Sequence, residues 1–264
     1  MKNTTIVILL AIVFSSACTT TTGPATGEGA QSAISSRSPI SEEQHKAKVH
    51  VELGSLYLID GRPSVALEEA RIALSADPSY APAYNLLGLT HMTMGEPKLA
   101  EENFDKAMRN APGDPEIQNN FGWFLCQNGR EKRAIEFFTA AARNPLYATP
   151  GKPLTNAGMC AVRIKDDKAA EDFLLRALRL NPGNTQALYW LADIAYRQGR
   201  HLEARQWVSD IEKTMEPSAE VIWLALRVER KLGNREIEAR HASQLRRRFA
   251  TSPEARLLSQ GQYP

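Results

Sequence analysis

Three thiols carry most of the reactive chemistry open to this chain: Cys18, Cys126 and Cys160. Cys18 closes an N-terminal segment of a distinctive kind. Lys2 supplies a positive start, and Ile6 to Phe14 form an apolar run. That run has the length of a secretory signal core and is too short to span a bilayer. Ser16-Ala17 then precede the cysteine, and a polar stretch follows it. Small residues before a cysteine and a polar run after it predict cleavage and acylation on Cys18, although Ser15 stands where Leu is common. The alternative is an ordinary secretory cut near Ala17 that leaves Cys18 free. Acyl chains contribute about 0.8 kcal/mol per buried methylene, and more than one chain gives stable anchoring. Export would leave Cys126 and Cys160 as a pair in an oxidising compartment. Their separation, 160 − 126 = 34, matters below.

The remaining side chains offer no catalytic constellation. His45, His50, His91, His201 and His241 form neither HExxH nor an i, i+4 pair, so no metal site is expected. There is no Walker A loop and no GxSxG elbow. Acidic pairs such as Glu68/Glu69 and Asp166/Asp167 read as solvated helix faces. No enzyme activity and no cofactor are expected. A formal net charge of +2 gives no general argument for nucleic acid. The basic stretch Arg240, His241, Arg246, Arg247 and Arg248 is better read as the solvated face of a last capping helix than as an anionic docking patch.

What must position any binding residues is a repeat. Gly54, Gly88 and Gly122 recur every 34 residues; so do Gly61, Gly95 and Gly129, and later Gly199 and Gly233. That period, with small residues at matched turns and prolines at Pro78, Pro112 and Pro182, is the signature of the tetratricopeptide repeat, a helix-turn-helix unit that stacks into a solenoid. The fold class is therefore all-α: a right-handed superhelical solenoid of about six units. The units lie near 47–80, 81–114, 115–148, 151–184, 185–218 and 219–252. The fourth starts late, since 158 − 122 = 36, and the sixth loses most of its small residues. Around this solenoid (45–252), residues 1–17 read as the signal, 18–44 as a polar tether and 253–264 as a tail. Cys126 and Cys160 fall on the first helices of neighbouring units. A disulfide is geometrically possible there if the Cα atoms come within about 7 Å; two buried free thiols are the alternative.

A solenoid of this kind usually presents a groove lined by the first helix of each unit. Counting along those helices gives Val51, Leu58 and Ile59, then Asn85, Leu89 and Met92, then Asn119, Trp123 and Cys126. The fourth unit adds Thr155, Met159 and Val162, and the fifth Tyr189 and Tyr196. This lining suits an extended or helical peptide, with apolar contacts for affinity and asparagines to pair with its backbone. Leu89, Trp123, Met159 and Tyr189 are expected to form one strip, with Trp123 the leading anchor. For each of these residues the bland alternative is packing between helices. Trp190 and Trp223 fit the core as well as the groove.

The segments EPKLAEENFDKA (Glu96 to Ala107), NNFGWFLCQNGR (Asn119 to Arg130), NAGMCA (Asn156 to Ala161) and KDDKAAEDFLLRAL (Lys165 to Leu178) go beyond the repeat consensus. With the signal and the tether, they resemble the PilF/PilW family of type IV pilus biogenesis/stability lipoproteins. The resemblance implies an outer-membrane lipoprotein, anchored through Cys18 and facing the periplasm, that acts as a pilotin. It would help the pilus secretin reach the outer membrane and multimerise. Thr19, where Asp would favour inner-membrane retention in enteric-type bacteria, agrees with the outer membrane. The competing reading is a general periplasmic scaffold lipoprotein for another envelope complex. A monomer is expected.

Overall fold

The computed structural model describes residues 41–263, so Cys18, the signal and most of the tether lie outside the described residues. The described residues form thirteen α-helices and no strand. They pair as α1 (Glu42–Ile59) with α2 (Pro63–Ala76), α3 (Ala81–Thr93) with α4 (Pro97–Asn110), and α5 (Pro115–Gln127) with α6 (Glu131–Arg143). The series continues with α7 (Gly151–Arg163) and α8 (Asp167–Leu180), α9 (Thr185–Arg197) and α10 (His201–Thr214), and α11 (Ala219–Leu232) and α12 (Arg235–Arg248). A short helix, α13 (Pro253–Ser259), follows.

The helix ends follow local chemistry. Pro63, Pro97 and Pro115 open α2, α4 and α5, where a missing backbone donor costs nothing. Asp114, Asp166 and Asn184 cap α5, α8 and α9 by accepting from the backbone N–H groups of Ile117, Ala169 and Ala187. Pro78, Pro112 and Pro182 lie just beyond the ends of α2, α4 and α8, where proline cannot continue a helix.

Within a unit the two helices touch at the first glycine series. A Cβ on Gly88 would come within 2.8 Å of the Phe104 ring, and one on Gly122 within 2.9 Å of the Phe138 ring. The absent side chain lets the aromatic of the second helix sit directly against the first. The second glycine series has another task. Gly129 ends its turn at φ 75°, in the left-handed region that side chains resist. The fourth unit places Lys165 in that position, at φ 61°.

Three features add to the sequence expectation. The two extra residues before the fourth unit form a fixed loop rather than slack. Tyr147 is buried and donates to Glu116 Oε2 at 2.7 Å, while Asn144 Nδ2 donates to the Gly113 carbonyl at 3.0 Å. The segment expected as a tail carries α13, whose Ala255 and Leu258 pack onto Ile222, Trp223 and Leu226 of α11. Tyr263 stacks on Trp223 with ring centroids 5.5 Å apart. This covers the last unit. At the other end α1 begins inside the expected tether, capped by the Ser41 hydroxyl, which accepts from the Gln44 N–H at 3.2 Å.

Candidate partner-binding groove

Successive first helices contact one another along the whole array, from α1 through α3, α5, α7 and α9 to α11, whereas among the described residues successive second helices do not. Closer spacing on the first-helix side puts that side on the inside of the curve. The groove therefore belongs to the first helices.

The sequence-derived lining residues divide into two patches and a set consumed by the fold. Leu89, Met92 and Trp123 are half-buried against a cluster of Phe104, Phe121, Phe124 and Phe138. The Phe104, Phe121 and Phe124 rings lie 5.5 to 6.2 Å apart and give Trp123 a rigid bed. The second patch is a cavity of about 460 Å³ lined by Met159, Tyr189, Trp190, Ile211, Met215 and Val221, with Glu220 at its edge. The Trp190 ring meets Tyr189 edge-on at 5.4 Å. Burial pushes the Tyr189 hydroxyl pKa up. Next to this cavity, and sharing Thr185 and Gln186 with it, lies a more polar one of about 810 Å³ whose lining includes Lys152, Asn156 and Asn184.

Most of the other lining residues make contacts within the solenoid. Val51 and Leu58 pack into the interface with Leu86 and Leu87. Asn119 is 1% exposed, and its amide is used internally. Asn156 Nδ2 donates to Asn119 Oδ1 (3.0 Å), Asn119 Nδ2 to Asn120 Oδ1 (3.2 Å), and Asn120 Nδ2 to Asn85 Oδ1 (3.3 Å). The asparagines thus bind one unit to the next, with half-buried Asn85 and Asn156 at the two ends of the chain of bonds. Thr155 is buried, accepting from Asn184 Nδ2 and donating to the Gly151 carbonyl. Val162 packs half-buried on the core of the fourth and fifth units. Ile59 is exposed at the open first unit. Cys126 is fully buried and joined to Cys160 in a disulfide with Cα atoms 6.0 Å apart. Tyr196 lies under the Arg227 guanidinium, 4.8 Å from its ring centroid, and packs against the sixth unit. Trp223 is core.

Ion pairs frame the units. Arg130 closes on Glu101 and Arg200 on Glu171, one helix pair to the next with the same 29-residue step. Lys152 donates to Glu116 Oε1 at 2.8 Å. Burial alone would raise the Glu116 pKa, but Lys152 and Tyr147 outweigh it and hold the carboxyl below its ordinary value. Arg197 grips Asp167 with two bonds and holds its carboxyl low. Sequence reasoning missed the contribution of Ile211, Met215 and Val221 to the second patch. They come from the end of α10 and the start of α11, outside the first-helix positions used for counting.

The repeat itself is diagnostic. The tetratricopeptide repeat model matches residues 51–115, 85–151 and 167–216. The chain belongs to the tetratricopeptide repeat family. Among repeat proteins of this family it is similar to the type IV pilus assembly protein PilF of Pseudomonas aeruginosa, at 28% identity over 205 residues. That alignment covers 78% of this chain and 81% of PilF. The solved structure of Pseudomonas aeruginosa PilF superposes with a TM-score of 0.76 at 26% identity, covering 84% of this chain and 100% of that one. The structure of PilW, a widely conserved type IV pilus biogenesis factor, gives 0.75 at 25% identity, covering 81% and 98%. These tetratricopeptide repeat relatives work in type IV pilus biogenesis.

Proposed function

We propose that this chain is a non-catalytic binding protein of type IV pilus biogenesis. It is anchored to the outer membrane through an acylated Cys18 and faces the periplasm. Its groove binds a segment of the pilus secretin and promotes the secretin's outer-membrane localisation and multimerisation. The observation that carries this reading is the pair of apolar patches on the first-helix side, Leu89/Met92/Trp123 and Met159/Tyr189/Trp190, on a solenoid similar to PilF and PilW over most of its length. Half-buried aromatics on a rigid bed suit a docking anchor, because little side-chain freedom is lost on binding.

The test is secretin pull-down with Trp123→Ala and Tyr189→Ala. Each is expected to weaken binding by on the order of 2 kcal/mol, about 30-fold in Kd, with helix content unchanged. Assembled secretin and surface pili should fall with it. Loss of melting temperature without loss of secretin capture would make these residues core and move the interaction off this face. Anchoring is tested separately. Cys18→Ser should abolish labelled palmitate incorporation and release the chain from membranes, and unchanged incorporation and fractionation would exclude acylation at Cys18.

A further inference from the structure

A stacked repeat leaves an apolar face at each end that a neighbour would otherwise cover. At the C-terminal end α13 and Tyr263 cover it. Among the described residues the N-terminal end has no such cover. Val49 is 45% exposed, Leu53 37%, Leu56 64% and Ile59 84%. Val49, Leu53 and Leu56 follow i, i+4, i+7 spacing and form one stripe on the outer face of α1. The other large exposed apolar residues of the described chain are scattered over several helices and loops. Between Thr19 and Ile40 the sequence holds only two large apolar residues, Ile34 and Ile40.

We infer that the stripe is the contact face for a second copy of this chain, with the two α1 helices packed antiparallel about a two-fold axis at Leu53. The charges favour self-pairing. With Leu53 on the axis, residues whose numbers sum to 106 face each other, so Lys46 meets Asp60 of the second copy and the reverse. Lys46 and Asp60 are both exposed, and neither is committed to an ion pair among the described residues. The same register brings Val49 within one residue of Leu56 of the second copy, since 49 + 56 = 105. A C2 contact repeats each interaction twice, which makes a self-complementary stripe efficient. An 18-residue helix is about 27 Å long, so one helix pair falls at the small end of interface sizes and the dimer is weak in dilute solution.

Cross-linking is therefore the appropriate test, on the full chain in its own membrane. A cysteine on a two-fold axis meets its own copy, so oxidation of Leu53→Cys should give a species of twice the chain mass. Lys168→Cys, exposed on α8, should not. In the Leu53→Cys background, Lys46→Asp should abolish the cross-link, and adding Asp60→Lys should restore it. Equal helix content and melting temperature across the set show that the fold is intact. A Leu53→Cys chain that stays at single mass, or that links only to a protein of another mass, overturns the inference. A dimer indifferent to charge reversal overturns the antiparallel pairing.

Discussion

At the residue scale, the two glycine series act through different physics and give opposite predictions. At Gly88 and Gly122 the constraint is space. An added methyl would meet the Phe104 or Phe138 ring at under 3 Å. Overpacking of this kind costs about 1–3 kcal/mol, so Gly88→Ala and Gly122→Ala should each lower denaturant stability by that amount. At Lys165 the constraint is backbone conformation. A side chain in the left-handed region costs on the order of 1 kcal/mol, and the equivalent positions in other units are glycine. Lys165→Gly should therefore raise the melting temperature by a few degrees. Both glycine spacings are plain in the sequence. Which one serves packing and which one serves the turn is decided by φ and by what lies opposite.

At the element scale, the Cys126–Cys160 bond fixes α5 to α7 where the repeat register slips by two residues. Both sulfurs are buried, so the bond resists mild reductant until the helices part. Closing a loop of this length contributes about 3–4 kcal/mol in the chain-entropy model. The Cys126→Ala/Cys160→Ala double variant should lose that much in urea unfolding, and reduction of the denatured parent should produce a similar drop. Non-reducing peptide mapping of exported protein should recover the linked pair. Sequence spacing put both cysteines on adjacent first helices. It did not reveal the Tyr147–Glu116–Lys152 contacts that hold the intervening loop, because they join residues more than 30 positions apart.

At the scale of the whole molecule, stability depends on pH through groups in several units. His241 is half-buried and its Nδ1 has no hydrogen-bond partner. Burial pushes its pKa below the ordinary 6.5, and nearby Glu212 and Glu229 only partly oppose this. The unfolded chain thus takes up this proton first as pH falls, so stability is lost on acidification from about pH 6.5 downward. His241→Gln should flatten the stability profile between about pH 7 and 5. A second loss follows at lower pH. Glu101, held low by Arg130, and Asp167, held low by Arg197, stabilise the fold above their unfolded values and stop doing so as pH falls through their folded ones. Arg197→Ala should shift the acid-unfolding midpoint upward in pH, read by circular dichroism.

The sequence by itself determined the repeat, its six units and the first-helix origin of the groove. These follow from local rules: a 34-residue period, small residues at helix crossings, and prolines and capping side chains at helix ends. Local rules survive folding because each unit contacts only its neighbours. Tertiary structure alone decided which lining residues are consumed by contacts within the fold. Asn119 and Cys126 occupy groove positions by count, yet one is consumed by an asparagine chain and the other by a disulfide. Ile211, Met215 and Val221 enter the second patch from the end of α10 and the start of α11. Helical periodicity says which face a side chain shares, but burial depends on what the next unit places against it. The closed C-terminal end and the open stripe on α1 have the same cause. Whether an end face is covered depends on distant packing, which no single repeat encodes.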